Sequence, residues 1–338
     1  MKFNKKFSLN EFYEVDTLRY YSHGRHALVA GLKALNIKKG DKVALPEFIC
    51  HDLLASIHAV DAFVIYYSLG ENLLPDFSKI SNETLKALIV VNYFGFPQDI
   101  NLYKDITDKT GAILIEDNAH GFLSRDEQGM LLGKRAAMGI LSLRKTFNFP
   151  DGAVLLLNES IDKEQIERPL DCVNNSLSKG YKVKRILGNI QLHTGIRLRS
   201  YSESLTRFIR KARTGHKLPV SSPESETVLP GQKEIHCESM RMLQLINPDD
   251  EVKKRRSLYD YFHKNLSHLD IEPLFSSLPT GTVPFGYPFH ADELEADKVV
   301  KIAHKKGFSC APWPDLPVEL ELSAPNFHKN VWWVNFLC

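Results

Sequence analysis

Between residues 25 and 157, apolar runs alternate with segments of helical periodicity. Residues 25–36 bring Leu28, Leu32 and Leu35 onto one helical face. Residues 41–46 read as a short strand stopped by Pro46, 50–59 as a helix and 62–67 as a buried strand. A further strand is predicted over 85–95, then a helix over 100–111 closed by Gly111. Strands follow over 112–117, 138–143 and 152–157. Such alternation predicts an α/β domain on a mostly parallel sheet. Ligands of such sheets collect at the carboxyl ends of the strands. That directs attention to 46–48, 92–95, 116–120 and 142–145.

A length of 338 residues predicts about two domains. The 43% apolar content suffices for a sizeable core and argues against disorder. Lys and Arg total 43 against 41 acids, so the net charge of +2 gives no global reason to expect nucleic acid. Cys50, Cys172, Cys237, Cys310 and Cys338 are scattered, with no CxxC pair. They read as reduced thiols of a cytoplasmic chain. The N-terminus carries charge and lacks the apolar core of a signal peptide. No run of about 18 apolar residues predicts a membrane span.

Residues 174–220 carry Lys179, Lys182, Lys184, Arg185, Arg197, Arg199, Arg207, Arg210, Lys211, Arg213 and Lys217 against one acid, Glu203. This stretch reads as a basic helical insertion. It is either a solvated face or cover for a neighbouring subunit, or a surface drawn to phosphates of a substrate or an anionic membrane through 179–217. A polar linker at 221–231 precedes renewed helical periodicity from 237. From about 267 the chain reads as a small α/β piece, with a strand at 286–290 and a helix ending at Gly307. The expected division is a large domain over 1–235 and a small one over 236–338.

The segment that carries chemistry is 112–153. A strand ends in Glu116-Asp117, followed by Asn118, Ala119 and His120. Ser142 and Lys145 come next, then Asp151-Gly152-Ala153. With the helix start at Gly24-Arg25, these supply the three parts that pyridoxal phosphate (PLP) needs. An amine forms the Schiff base, a carboxylate keeps the ring nitrogen protonated, and backbone N–H groups hold the phosphate. Taken singly, each residue has a plainer reading: a surface lysine, a strand-end turn, a core histidine, a strand serine, an ordinary helix start.

Read in order, the motifs resemble the DegT/DnrJ-type nucleotide-sugar aminotransferases, PLP-dependent enzymes of fold type I. The resemblance rests on His23-Gly24-Arg25, Pro46-Glu47-Phe48-Ile49-Cys50, Asn92-Tyr93-Phe94-Gly95-Phe96-Pro97, Glu116-Asp117-Asn118-Ala119-His120, Ser142, Lys145 and Asp151-Gly152. It is good over about 20–158 and thin over 160–235. Beyond that it is carried by Arg255-Arg256, Tyr259 and Trp313-Pro314. It implies a mixed, mostly parallel sheet sandwiched by helices, with a smaller C-terminal α/β domain. By the same resemblance, Lys145 links the cofactor and moves the proton. Asp117 pairs with the pyridine nitrogen, and His120 stands beside the 3-oxygen. Ser142, Gly24 and Arg25 hold the phosphate. The implied activity moves an amino group, from glutamate, to a keto-sugar carried on a nucleotide, in surface polysaccharide or antibiotic sugar assembly. A homodimer is implied as well.

The departures are specific. The serine-to-lysine spacing is two residues short of the family form. Cys50 stands where the family often stacks an aromatic ring, which leaves Phe48, His51 or an open face. Asn92 replaces the family histidine. The Gly-x-Asn-Tyr-Arg-Met segment is missing, and an early C-terminus would leave the last strand incomplete. Two other functions compete. One is another fold type I enzyme, such as a lyase or a desulfurase; the latter needs a mobile cysteine, for which Cys172 and Cys338 lack a motif. The other is a non-catalytic PLP-binding or regulatory relative. Lys145 itself favours transamination, because dehydratases of the family carry histidine there.

Overall fold

The structure is a computed structural model that describes residues 6–15, 18–158, 166, 171–177, 180–183, 185–186 and 223–337. A short helix, α1 (Leu9–Tyr13), precedes the larger sheet. The strands of that sheet are β1 (Leu18–Tyr21), β2 (Lys42–Pro46), β3 (Phe63–Leu69), β4 (Pro75–Asp76), β5 (Ala87–Val91), β6 (Ile113–Asn118), β7 (Met138–Ser142) and β8 (Ala153–Leu157). Their spatial order is β1-β8-β7-β6-β5-β2-β3-β4. From β3 through β2, β5 and β6 to β7 every pairing is parallel. The outer pairings of β8 and β4 are antiparallel. All five residues of β5, β7 and β8 are buried, as expected of strands covered on both faces.

The helices α2 (Gly24–Ala34), α3 (Leu54–His58), α4 (Ile100–Thr110) and α5 (Leu143–Thr146) lie between these strands. α4 starts on Asp99, whose carboxylate accepts the Asn101 N–H at 3.1 Å, and stops on Gly111 at φ +70°. The strand expected over 85–95 ends at Val91. Asn92 turns the chain into a 3-10 turn with Phe94 at φ +53° and Gly95 at φ +89°. A Cβ on Gly95 would stand 2.5 Å from the carbonyl oxygen of Val283, so this crossing admits glycine alone.

A second sheet of four strands holds β9 (Glu272–Pro273), β10 (Gly286–His290), β11 (Ser309–Pro312) and β12 (Val331–Asn335), in the order β11-β12-β10-β9. The last strand, which sequence leaves in doubt, pairs with β10 along five residues and with β11 along four. Helices α6 (Cys237–Leu243), α7 (Pro248–Leu266), α8 (Glu293–Lys305), α9 (Val318–Glu321) and α10 (Asn326–Lys329) complete this part. Tyr259, Phe262 and Leu266 of α7 share one apolar core with β10, β12 and the parallel strands. A smaller core joins Leu9 and Tyr13 of α1 to Phe122, Leu143, Ile235 and Leu243.

One expectation is corrected. Cys172 and Cys237 form a disulfide, so the cysteines are not all free thiols. Their segments were far apart in sequence, and only the fold brings Val173 beside His236. Cys50 and Cys310 are not disulfide-bonded, while Cys338 lies outside the described residues. Most of the basic stretch over 179–217 also lies outside them. Of its described members, Arg185 forms an ion pair with Glu238 at 2.8 Å.

Candidate active site

A cavity of about 270 Å³ opens at the carboxyl ends of the parallel strands and takes in all six expected residues: Gly24, Arg25, Asp117, His120, Ser142 and Lys145. Strand alternation explains how β6 serves two purposes. Asp117 faces the cavity, whereas its neighbour Glu116 points to the other side and is fully buried. There the Glu116 carboxylate takes the Arg135 Nη2 at 2.6 Å and Nε at 2.8 Å, and the Asn92 Nδ2 at 2.7 Å. Asn92 Oδ1 accepts from Arg135 Nη2 at 2.9 Å. The asparagine in place of the family histidine is therefore part of a closed buried network behind the site.

Lys145 Nζ lies 3.1 Å from His120 Nε2. The other ring nitrogen, Nδ1, accepts the Phe94 backbone N–H at 3.2 Å. A neutral imidazole carries one proton, so that proton sits on Nε2 and is donated to Nζ. Burial drives His120 well below the ordinary histidine range, which keeps it neutral. An Nε2–H donor requires a lone pair on Lys145, hence a neutral amine. Burial lowers the Lys145 pKa, against the pull of Asp117. The bonding pattern and the titration direction agree.

Burial raises the Asp117 pKa, and Lys145 opposes that rise. Asp117 Oδ1 accepts the Ala119 N–H at 2.9 Å, and Oδ2 makes no hydrogen bond among the described residues. His120 is stacked on Phe285 at 4.5 Å, and Phe285 on Trp333 at 4.5 Å. Trp313 meets His120 edge-on at 5.4 Å. Phe285, Trp313 and Trp333 all line the cavity. Trp313 stands in the Trp313-Pro314 pair of the resemblance, but no local signal marks Phe285 or Trp333 as site residues, since they arrive from 140 or more positions beyond Lys145.

The other end of the cavity is cationic. Arg25 opens α2 and lies 3.4 Å from Asp52. Arg144, overlooked in the sequence, lines the same space, and its side chain makes no ion pair among the described residues. Lost water and then Arg25 lower its pKa. Burial, then Arg144 and Arg25, push His23 down to about 4. Ser142 is 4% exposed, lines the cavity, and its hydroxyl has no partner among the described residues. A Cβ at Gly24 would meet only Ile140, at 3.7 Å, so the space before the α2 N-terminus is open. An unpaired buried hydroxyl, an open helix start and two guanidiniums fit a phosphate dianion. An amine and a carboxylate oxygen fit the remainder of PLP.

Two candidates for stacking on a ring fall away. Phe48 is buried against Trp313, Tyr93 and His328, and His51 is bonded to Ser225; neither lines the cavity. Cys50 does line it, and burial raises its pKa, so it stands there as a neutral thiol. Gly152, at φ +128°, turns the chain beside Lys145: its carbonyl accepts the N–H groups of Leu143 at 3.0 Å and Arg144 at 3.4 Å. Asp151 turns away, accepting from Ser239 Oγ at 2.6 Å and from the His236 N–H.

With this sheet order and this cavity, the architecture is that of the PLP-dependent transferases of fold type I. A DegT DnrJ EryC1 StrS aminotransferase from Brucella abortus superposes with a TM-score of 0.64 at 16% identity, covering 97% of this chain and 82% of that one. The pattern of the DegT/DnrJ/EryC1/StrS aminotransferase family matches residues 2–199, and the chain belongs to that family. GDP-perosamine synthase from Vibrio cholerae is 28% identical over 157 residues, 45% of this chain and 42% of the relative. The dTDP-4-amino-4,6-dideoxy-D-glucose transaminase from Shigella dysenteriae is 27% identical over 176 residues, 49% of this chain and 46% of the relative. The alignments thus span less than half the length of these relatives.

Proposed function

We propose that the chain is a PLP-dependent aminotransferase that moves an amino group from glutamate to a keto-sugar carried on a nucleotide. The observation that carries this reading is Lys145 Nζ, 3.1 Å from His120 Nε2 and sharing its cavity with Asp117. When bound, PLP supplies an electron sink for charge at the carbon that bears the amino group. The chain's own residues supply the rest. Burial lowers the Lys145 pKa, and its Nζ is placed to take and return a proton. Asp117 Oδ2 is free to hold a protonated ring nitrogen. His120 orients the amine. Arg25, Arg144, Ser142 and the α2 N-terminus retain a phosphate. The curated relatives, a GDP-sugar synthase and a dTDP-sugar transaminase, support the substrate class.

The same reading includes a division near residue 235, a homodimer and a cytoplasmic setting. Among the described residues no helix is long and apolar enough to cross a membrane. A monomer at micromolar concentration would count against the dimer. Contact of 179–217 with anionic lipid is tested by liposome co-sedimentation at low salt, where no binding removes it.

The decisive experiment is the visible absorbance of the chain with PLP, for wild type and Lys145→Ala, before and after glutamate. A band that needs Lys145 and is discharged by glutamate supports the aminotransferase. A Lys145-dependent band that no amino acid discharges supports a non-catalytic relative. Absence of a Lys145-dependent band overturns the reading.

A further inference from the structure

Arg255 lies outside the cavity and touches two of its walls. It sits on α7 and is 1% exposed. Its Nη2 donates to the Thr146 carbonyl at 2.6 Å. Its Nη1 donates to the carbonyls of Pro284 at 3.0 Å and Phe285 at 3.1 Å, and its Nε to Glu251 Oε1 at 2.7 Å. Thr146 follows Lys145 in the chain. Phe285 is the ring stacked on His120, and His120 holds the Lys145 amine. One buried guanidinium therefore grips the backbone behind both partners of a single hydrogen bond.

Burying a cation for packing alone is costly, because an apolar side chain fills the same volume without desolvation. The planar fork, with five donors, lets one side chain span three carbonyls on two distant segments. Lysine, a point charge with three rotatable donors, does not reproduce that span.

We propose that Arg255 is a positioning residue for Lys145, fixing its distance to His120 and keeping water from its amine; this rests on the reading of Lys145 as the cofactor-linking amine. Arg255 works through the backbone carbonyls of Thr146 and Phe285. Loosening the fork admits water, and the Lys145 pKa then rises toward the ordinary lysine range.

The test is acylation of Lys145 by acetic anhydride in the full cofactor-free chain, from about pH 6 to pH 11. Peptide mass spectrometry reads the reactivity midpoint in wild type, Arg255→Lys, Glu251→Gln and Arg135→Met. The last variant breaks the buried network behind the site and serves as the control for loss of stability. Arg255→Lys keeps the charge, and it should raise the midpoint by about one pH unit. Glu251→Gln, which weakens only the anchor of Nε, should raise it less and reads the effect if Arg255→Lys fails to fold. Arg135→Met should leave the midpoint in place. A wild-type midpoint in folded Arg255→Lys, or in Glu251→Gln where Arg255→Lys does not fold, overturns the positioning role. An equal rise in Arg135→Met does the same, because it reports general loosening. Absence of a Lys145-dependent PLP band in the wild-type chain overturns the functional reading instead, and the midpoints stay readable without it.

Discussion

The proton between Lys145 Nζ and His120 Nε2, 3.1 Å apart, belongs to the imidazole. His120→Phe keeps a ring on Phe285 and removes that donor. Discharge of the PLP band by glutamate should slow by about 100-fold in a single turnover. His120→Gln retains a donor and should stay within roughly tenfold of wild type. Equal rates for the two variants would show that the Nε2–H plays no part.

Asp117 is the group that pulls the Lys145 pKa upward against burial. Asp117→Asn removes that charge, so the amine pKa falls further and its reactivity midpoint moves to lower pH. The amide also cannot hold a ring-nitrogen proton, and band discharge should slow by at least about 100-fold. A midpoint that moves upward would contradict the coulombic assignment.

Glu116 and Arg135 form an ion pair with both side chains almost wholly buried. Removing one partner leaves the other charge stranded. Arg135→Met should cost about 3–5 kcal/mol in urea unfolding. Glu116→Leu combined with Arg135→Met should recover part of that loss. A single substitution that costs nothing would mean water reaches the network.

His328 is 2% exposed, stacks on Phe48 at 4.6 Å, and has neither ring nitrogen bonded. Burial lowers its pKa to about 4; Glu47 pulls it up and His290 pushes it down. Its folded pKa lies below the unfolded value of about 6.5, so the unfolded chain binds the extra proton. Stability from this group is complete above that value and is lost as pH falls toward 4, by up to about 3 kcal/mol. His328→Phe keeps the stack and should flatten this acid limb, read as the urea midpoint at neutral pH and near pH 5. His23, held near 4 by burial, contributes a limb of the same sign that remains in the variant.

Much of this site could be read in the sequence because β6, β7 and the start of α2 deliver their residues within local motifs. Asp117, His120 and Lys145 lie within a few residues of the ends of β6 and β7, Gly24 starts α2, and the fold needs only to bring these ends together. What escaped reading was long-range. Arg135 and Asn92 look like loop residues until Glu116 is seen on the far face of β6. Trp333 belongs to a separate sheet, Phe285 and Trp313 flank its strands, and the docking of that sheet leaves no local periodicity. β1, with the sequence Leu18-Arg19-Tyr20-Tyr21, is too short and too polar to stand out, and it forms only by pairing with β8. Arg144 was hidden by its neighbour: beside a lysine with an assigned role, it read as ordinary charge. The disulfide was beyond reach, since five scattered cysteines permit many pairings and only the Val173–His236 bridge selects one.

That bridge has a topological effect. Cys172 and Cys237 are 65 positions apart and enclose a covalent ring. A single peptide-bond cut anywhere between them leaves one molecule, with Lys145 on one side of the nick and Arg255 on the other. On a denaturing gel the nicked chain would run as two fragments only after reduction. Limited digestion scored without reductant would count such a molecule as intact.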